Sequence, residues 1–196
     1  MRLGLLCSGG KDSTLAALLC REFYDVTLVT VHFGVTDGWT VGGEVAAAVG
    51  VPFRPLPLDV DVAETAADRI VADGYPRHGI QSVHVAALEA VAAMGFDAVA
   101  DGTRRDDRVP TVSRAQAQSL EDRHGVDYVA PLSGFGRGAV DALAADALVV
   151  ESGPSERLRK ADYETELRAL VRKRHGEGAV AEAFPDHEQT RVVGLR

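Results

Sequence analysis

The chain has 196 residues, of which 46% are hydrophobic and 6% aromatic, and it carries a formal net charge of -8. That length suits one well-buried domain with a small appendage, and the acidic balance excludes nucleic-acid binding through bulk charge. No apolar run approaches the ~18 residues of a membrane span and no signal peptide precedes the first apolar segment, so a cytoplasmic protein with no membrane partner is expected.

Strand and helix signals alternate from the first residues. Arg2–Cys7 reads as a short apolar strand, and Ser13–Glu22 as a helix with Leu15, Leu18 and Leu19 on one face. Val26–Phe33 is a Val-rich second strand and Val41–Val49 a helix ended by Gly50. Phe53–Leu58 is a third strand that Pro55 and Pro57 confine to an edge. Asp61–Ala72 is a helix capped by Asp59 or Asp61 and stopped by Gly74. Ile80–Met94 is a longer helix, and Ala98–Ala100 a fourth strand leading into the polar loop Asp101–Val112. Ser113–Arg123 is a helix with Ser113 as cap. Tyr128–Ala130 and Ala147–Val150 are short strands around a helix near Ala139–Ala144. Ala161–His175 and Ala179–Phe184 are C-terminal helices, and Val192–Leu195 is a last strand or an ordered tail.

Such alternation predicts an α/β fold with a parallel sheet and right-handed crossovers. Ligands in these sheets sit beyond the carboxyl ends of the strands, where strand order reverses. The loops after Cys7, Phe33 and Ala100 are therefore the ones to inspect. A soft boundary near Gly153-Pro154-Ser155 divides residues 1–153 from a C-terminal helical extension, 154–196. The first part holds 12 basic against 21 acidic residues, the second 9 against 8. A polyanion contact, RNA included, would therefore fall on the tail, where Arg168, Arg172, Lys173 and Arg174 share a helix. The alternatives are a solvated mixed-charge helix or the edge of a homodimer.

The first strand ends in Cys7-Ser8-Gly9-Gly10-Lys11-Asp12-Ser13-Thr14, and a helix follows at once. A polyphosphate needs several backbone amides aimed at one spot. Paired glycines turn the chain sharply and remove the Cβ atoms that would keep oxygens away. The helix start adds unsatisfied N–H groups and partial positive charge. Ser8, Ser13 and Thr14 offer hydroxyl donors, and Lys11 can neutralise phosphate. Asp12 can cap the helix, hold Lys11 or bind Mg²⁺. The loop is neither G-x-x-x-x-G-K-[ST], because Leu5 stands where the first glycine belongs, nor G-x-G-x-x-G.

Ser8-Gly9-Gly10-Lys11-Asp12-Ser13, with Asp101-Gly102-Thr103-Arg104-Arg105-Asp106-Asp107 downstream, resembles the two motifs of the PP-loop ATP pyrophosphatase superfamily, also called adenine nucleotide alpha hydrolases. Asp162-Tyr163-Glu164 and His187-Glu188-Gln189-Thr190-Arg191 are similar to uncharacterised archaeal PP-loop proteins. The resemblance implies a Rossmann-like, HUP-type sheet of about five strands with helices on both faces, plus the small C-terminal helical segment. It also implies ATP and Mg²⁺ as ligands. The enzyme would transfer AMP to an acceptor oxygen, release pyrophosphate, and let a nucleophile displace AMP. By position Ser8, Gly9, Gly10, Lys11, Asp12, Ser13 and Thr14 would bind ATP phosphates, Val31, His32 and Phe33 would border adenine, and Gly102 and Thr103 would approach the nucleotide. Lys11, Asp12 and Asp107 would be catalytic, and Asp12, Asp106 and Asp107 would hold the metal.

Cys7 and Cys20 form no C-x-x-C and no zinc cluster, which argues against thiolating, nitrile-forming and sulfonucleotide-reducing branches. Amide ligation or an unusual RNA modification remains, with a small molecule or tRNA as acceptor. The alternative is a non-catalytic ATP/AMP-binding sensor. His32 and His187 are the histidine candidates, His84 reads as a packed helix residue, and Trp39 would stack on a base or cover the core.

Overall fold

The computed structural model describes residues 1–196. Strand β1 (Arg2–Leu6) leads into helix α1 (Lys11–Cys20), β2 (Asp25–His32) into α2 (Thr40–Val49), and β3 (Phe53–Pro57) into α3 (Val60–Asp73) and α4 (Arg77–Ala92). Then β4 (Ala98–Ala100) is followed by α5 (Arg114–His124), and β5 (Asp127–Val129) by α6 (Arg137–Ala147). The chain ends with β6 (Leu148–Pro154), α7 (Tyr163–His175), α8 (Glu177–Ala183) and β7 (Glu188–Leu195).

The first five strands form one sheet in the order β3-β2-β1-β4-β5, all pairs parallel. This is a Rossmann-like arrangement, with the strand order reversing between β1 and β4. The proline-bearing β3 lies at the edge, as a strand short of amide donors must. Side chains alternate across the pleat. Leu3 and Leu5 of β1 and Leu28 of β2 pack with Leu15, Val41 and Val45 from α1 and α2, and with Val140 of α6. Leu6, Val29, Val31 and Val99 point the other way, onto Leu88 and Val91 of α4 and Leu120 of α5. A third cluster, outside the sheet, joins Ile70 of α3 to Leu167, Leu170 and Val180 of α7 and α8.

The caps follow the sequence. Asp59 accepts from the Asp61 amide, Gly74 ends α3 in the left-handed region, and Ser113 with Gln116 forms a capping box on α5. Three expectations need correction. The helix predicted from Ala161 begins at Tyr163, because Asp162 accepts from Thr165 and caps it. The C-terminal part is not only helical: Glu188–Leu195 is a full strand, paired antiparallel with β6. That ribbon includes residue 153, so the expected division at 153 falls within it. The ribbon lies against the opening loop: the Val192 amide donates to the Gly9 carbonyl at 2.9 Å, and the Lys11 amide to Thr190 Oγ1 at 3.3 Å.

Candidate functional site

The bend after β1 depends on Gly9, whose φ of +75° belongs to the left-handed region and whose missing Cβ would lie 2.8 Å from Val41 Cγ1. Gly10 is the N-cap of α1. Ser13 Oγ lies 3.3 Å from the Ser8 amide, from Ser8 Oγ and from the Gly10 carbonyl. The amides of Asp12 and Ser13, in the first turn of α1, find no acceptor within the chain. They are the orphan donors a helix start offers to an anion.

The end of β4 reaches the same place. A Cβ on Gly102 would stand 2.6 Å from the Ser13 nitrogen and 2.9 Å from the Asp12 carbonyl carbon, so this glycine lets the fourth strand's loop touch the helix start. Gly102 thus approaches protein backbone as well as lining the cavity. Beneath it Asp101 is buried, and four donors meet its carboxylate. Oδ1 takes the Thr103 amide at 2.9 Å and hydroxyl at 2.6 Å; Oδ2 takes His84 Nε2 at 2.9 Å and the Tyr128 hydroxyl at 3.0 Å. Burial pushes this carboxyl up, but the His84 hydrogen bond and charge and the Thr103 bonds outweigh it, and Asp101 ionises below the usual carboxylate range. Burial and the neighbouring Asp101 charge push the Tyr128 phenol up, so it remains a donor.

The charged loop is organised by Arg104. Its side chain contacts Asp107 Oδ1 at 2.5 Å, its own amide donates to Asp107 Oδ2 at 2.7 Å, and Nη1 lies 3.6 Å from Asp12 Oδ2. Asp12 Oδ1 in turn holds Lys11 Nζ at 2.5 Å, one of the three roles open to it. Asp106 is diverted: its Oδ2 accepts the Arg137 amide at the start of α6.

The C-terminal residues complete the wall. The Ala161 amide donates to the Ser8 carbonyl at 3.1 Å, placing Lys160 and Asp162 beside the loop. Lys160 Nζ lies 2.7 Å from Asp162 Oδ2, with side chains only 8% and 13% exposed. Burial pushes the Asp162 carboxyl up; the Lys160 charge and the Thr165 hydrogen bonds override it and hold it low. Glu164 pairs with Arg168 at 2.7 Å and lies 3.3 Å from His187 Nε2.

Together these parts enclose a cavity of about 320 Å³ over the junction of β1 and β4, at the low end of small-molecule sites. Of the residues expected at the nucleotide, Ser8, Asp12, Ser13, Val31, Gly102, Thr103 and Asp107 line it. Gly9 and Gly10 shape the loop without lining the cavity. Lys11 points away, bridging Asp12 and Asp141. Thr14 is fully buried and donates to the Gly10 carbonyl at 2.8 Å, so its hydroxyl is spent on the helix start. His32 stacks on Trp39 with ring centroids 5.0 Å apart, and neither ring lines the cavity. The Phe33 amide is taken by Glu166, whose buried carboxylate also accepts the Val35 and Thr36 amides. Asp106 also lies outside.

Lys160 lines the cavity without having been singled out in the sequence; Asp101 and Glu164, quoted only within motifs, and His84, read as a packed residue, line it too. His187 was a candidate and does line it. Cys7 is there too, its thiol pushed up to about 11 by burial. The tail arginines weighed as one possible RNA contact are paired within the chain. Arg168 is buried against Phe184 and Glu164, Arg172 pairs with Glu177, and Arg174 with Asp68 and Glu64. No group of three or more His, Cys, Asp or Glu residues is arranged to hold a metal unaided. Mg²⁺ is ordinarily held by one or two carboxylates together with substrate phosphates; of the three carboxylates expected to hold it, Asp12 and Asp107 line the cavity. No helix is long and apolar enough to cross a membrane.

"Uncharacterized protein MJ0690" of Methanocaldococcus jannaschii is 41% identical over 197 residues, covering 100% of this chain and 97% of its own. A crystal structure from the same organism, of a "predicted subunit of tRNA methyltransferase", superposes with a TM-score of 0.90 at 39% identity, covering 100% of this chain and 98% of the other. A family model described as a family of unknown function, DUF7411, matches residues 1–194. From the glycine bend after β1 to the C-terminal ribbon that closes on it, the chain belongs to the DUF7411 family.

Proposed function

We propose that this chain is an ATP pyrophosphatase that adenylates an acceptor. The observation that carries the reading is the convergence of Ser8, Asp12, Ser13, Gly102, Thr103 and Asp107 on one cavity at the strand-order reversal. The free amides of Asp12 and Ser13 face the polyphosphate, and the helix start favours its charge. An acceptor oxygen attacks the α-phosphorus, the bond between the α-phosphorus and its bridging oxygen breaks, and pyrophosphate leaves with the electron pair. A nucleophile then attacks the activated acceptor carbon, and AMP departs with the acceptor oxygen. Asp12 and Asp107 would hold Mg²⁺, which when bound offsets charge on the departing pyrophosphate. Lys11 and Arg104 hold the two carboxylates in position.

The M. jannaschii neighbour's name supports an acceptor connected with tRNA modification. The ion-paired tail leaves the electrostatic part of any RNA contact small, so such a role fits a subunit working beside an RNA-binding partner better than a lone RNA enzyme. The grip of Arg104 on Asp107 favours a second reading, a nucleotide sensor without turnover. Incubation with α-labelled ATP, Mg²⁺ and cell extract tests both. AMP, pyrophosphate and an adenylated adduct support adenylation, ADP and phosphate overturn it, and tight binding without turnover favours the sensor.

A further inference from the structure

We infer that Lys160, and not the lysine of the opening loop, is the cation that meets the nucleotide's phosphates; the inference rests on the ATP reading above. Five carboxylates line the cavity, from Asp12, Asp101, Asp107, Asp162 and Glu164, and Lys160 is the only lysine or arginine among the lining residues. A polyphosphate entering this wall meets net repulsion unless a cation is supplied. Lys11 is poorly placed for that. Its ammonium sits between Asp12 at 2.5 Å and Asp141 at 3.1 Å, and its side chain does not line the cavity. Lys160 faces it.

The segment carrying Lys160 is fastened to the phosphate loop itself, through the Ala161 amide on the Ser8 carbonyl at 3.1 Å. Lys160 is thus built against the residue that opens the loop, although 152 positions separate it from Ser8 in the chain. Its charge is held by Asp162 at 2.7 Å, and Asp162 is itself fixed by capping α7 through Thr165. A compact, strongly hydrated ammonium in such a pair keeps donors to spare, since it has three and one carboxylate oxygen is in contact. A phosphate oxygen arriving from Ser8 and Ser13 takes one of them without the pair having to break.

The test is calorimetric titration of the full chain with the α,β-methylene analogue of ATP in Mg²⁺, with adenosine as a probe lacking phosphates. Lys160→Met weakens the analogue at least about tenfold, the scale of one charge-assisted phosphate contact. Lys160→Arg recovers part of the loss, Lys11→Met costs less than Lys160→Met, the exposed Lys173→Met changes nothing, and adenosine binds all variants alike. Asp162→Asn, which keeps the lysine and a capping side chain, tightens the analogue severalfold and provides a second measurement if Lys160→Met folds poorly. Wild-type affinity in Lys160→Met, equal loss of adenosine, or weaker analogue binding in Asp162→Asn overturns the assignment. A wild-type chain that binds adenosine and analogue equally, or neither, overturns the nucleotide reading itself.

Discussion

His84 Nε2 stands 2.9 Å from Asp101 Oδ2, tying the middle of α4 to the carboxyl end of β4 directly under the cavity. The folded Asp101 ionises more readily than the ordinary value of 3.8. Its contribution to stability is therefore complete above that value and is lost as pH falls through the lower folded one. Asp101→Asn is expected to cost about 3 kcal/mol at pH 7, because it removes the charged partner of a buried network. It should also flatten the fall in stability on the acid side of pH 4. Urea denaturation of both proteins at pH 7 and pH 3 checks this; parallel losses at the two pH values would refute it.

Gly102→Ala drives a methyl group into the backbone of Ser13 and Asp12, which cannot swing aside as a side chain would. A loss of about 1–3 kcal/mol is expected, together with loss of ATP binding. Gly138→Ala is the control. No neighbour lies within 4 Å of the added Cβ, the site is inside α6, and stability should rise by about 0.5–1 kcal/mol. Thermal melting and nucleotide titration of the pair separate a local clash from a general intolerance of alanine.

Asp12→Asn and Asp107→Asn should each lower pyrophosphate release by about a hundredfold or more, because both carboxylates line the cavity. Asp106→Asn should lower it less than threefold, since Asp106 serves the start of α6. Equal effects from all three would restore Asp106 to the metal site and contradict the geometry.

Neither cysteine should react with alkylating reagents in the native state at pH 7. Both thiols are buried and pushed up to about 11 by desolvation, so the nucleophilic thiolate is scarce. Mass spectrometry after iodoacetamide, with and without urea, reads this directly. Rapid native labelling of Cys7 would reopen the sulfur-transfer chemistry that the sequence argues against.

Glu166→Ala removes the acceptor for the Phe33, Val35 and Thr36 amides and should cost about 3 kcal/mol. The expected signature is a lower melting temperature in a protein that still binds nucleotide weakly, because the three amides belong to the loop after β2. A variant as stable as the parent would show that water replaces the carboxylate there.

The opening loop was legible because its signal is local: two glycines, a serine and a helix start stand within a few residues of an apolar strand. The same locality explains the legible caps at Asp59 and Ser113. Lys160 was invisible because nothing nearby in the chain distinguishes a lysine fastened over Ser8 from one in solvent; the hydrogen bond that decides it joins residues far apart. His84 misled for a different reason. A histidine among Val83, Val85 and Ala86 has the spacing of a packed residue, and it is packed, but its ring also borders the cavity. Thr14 and Phe33 were assigned by position to the nucleotide, and the fold spends the hydroxyl of one and the amide of the other on its own backbone and on Glu166. Propensity can forecast where a strand ends, but it carries no information about which donor a distant acceptor will claim.

The bond from Val192 to the carbonyl of Gly9 has a consequence for biosynthesis. During synthesis the bend at Gly9 is made 151 residues before Lys160 and 183 residues before Val192. A chain interrupted between them carries the bend without the residues that wall the cavity, so the cavity forms only after Lys160, Glu164, His187 and Val192 have been added.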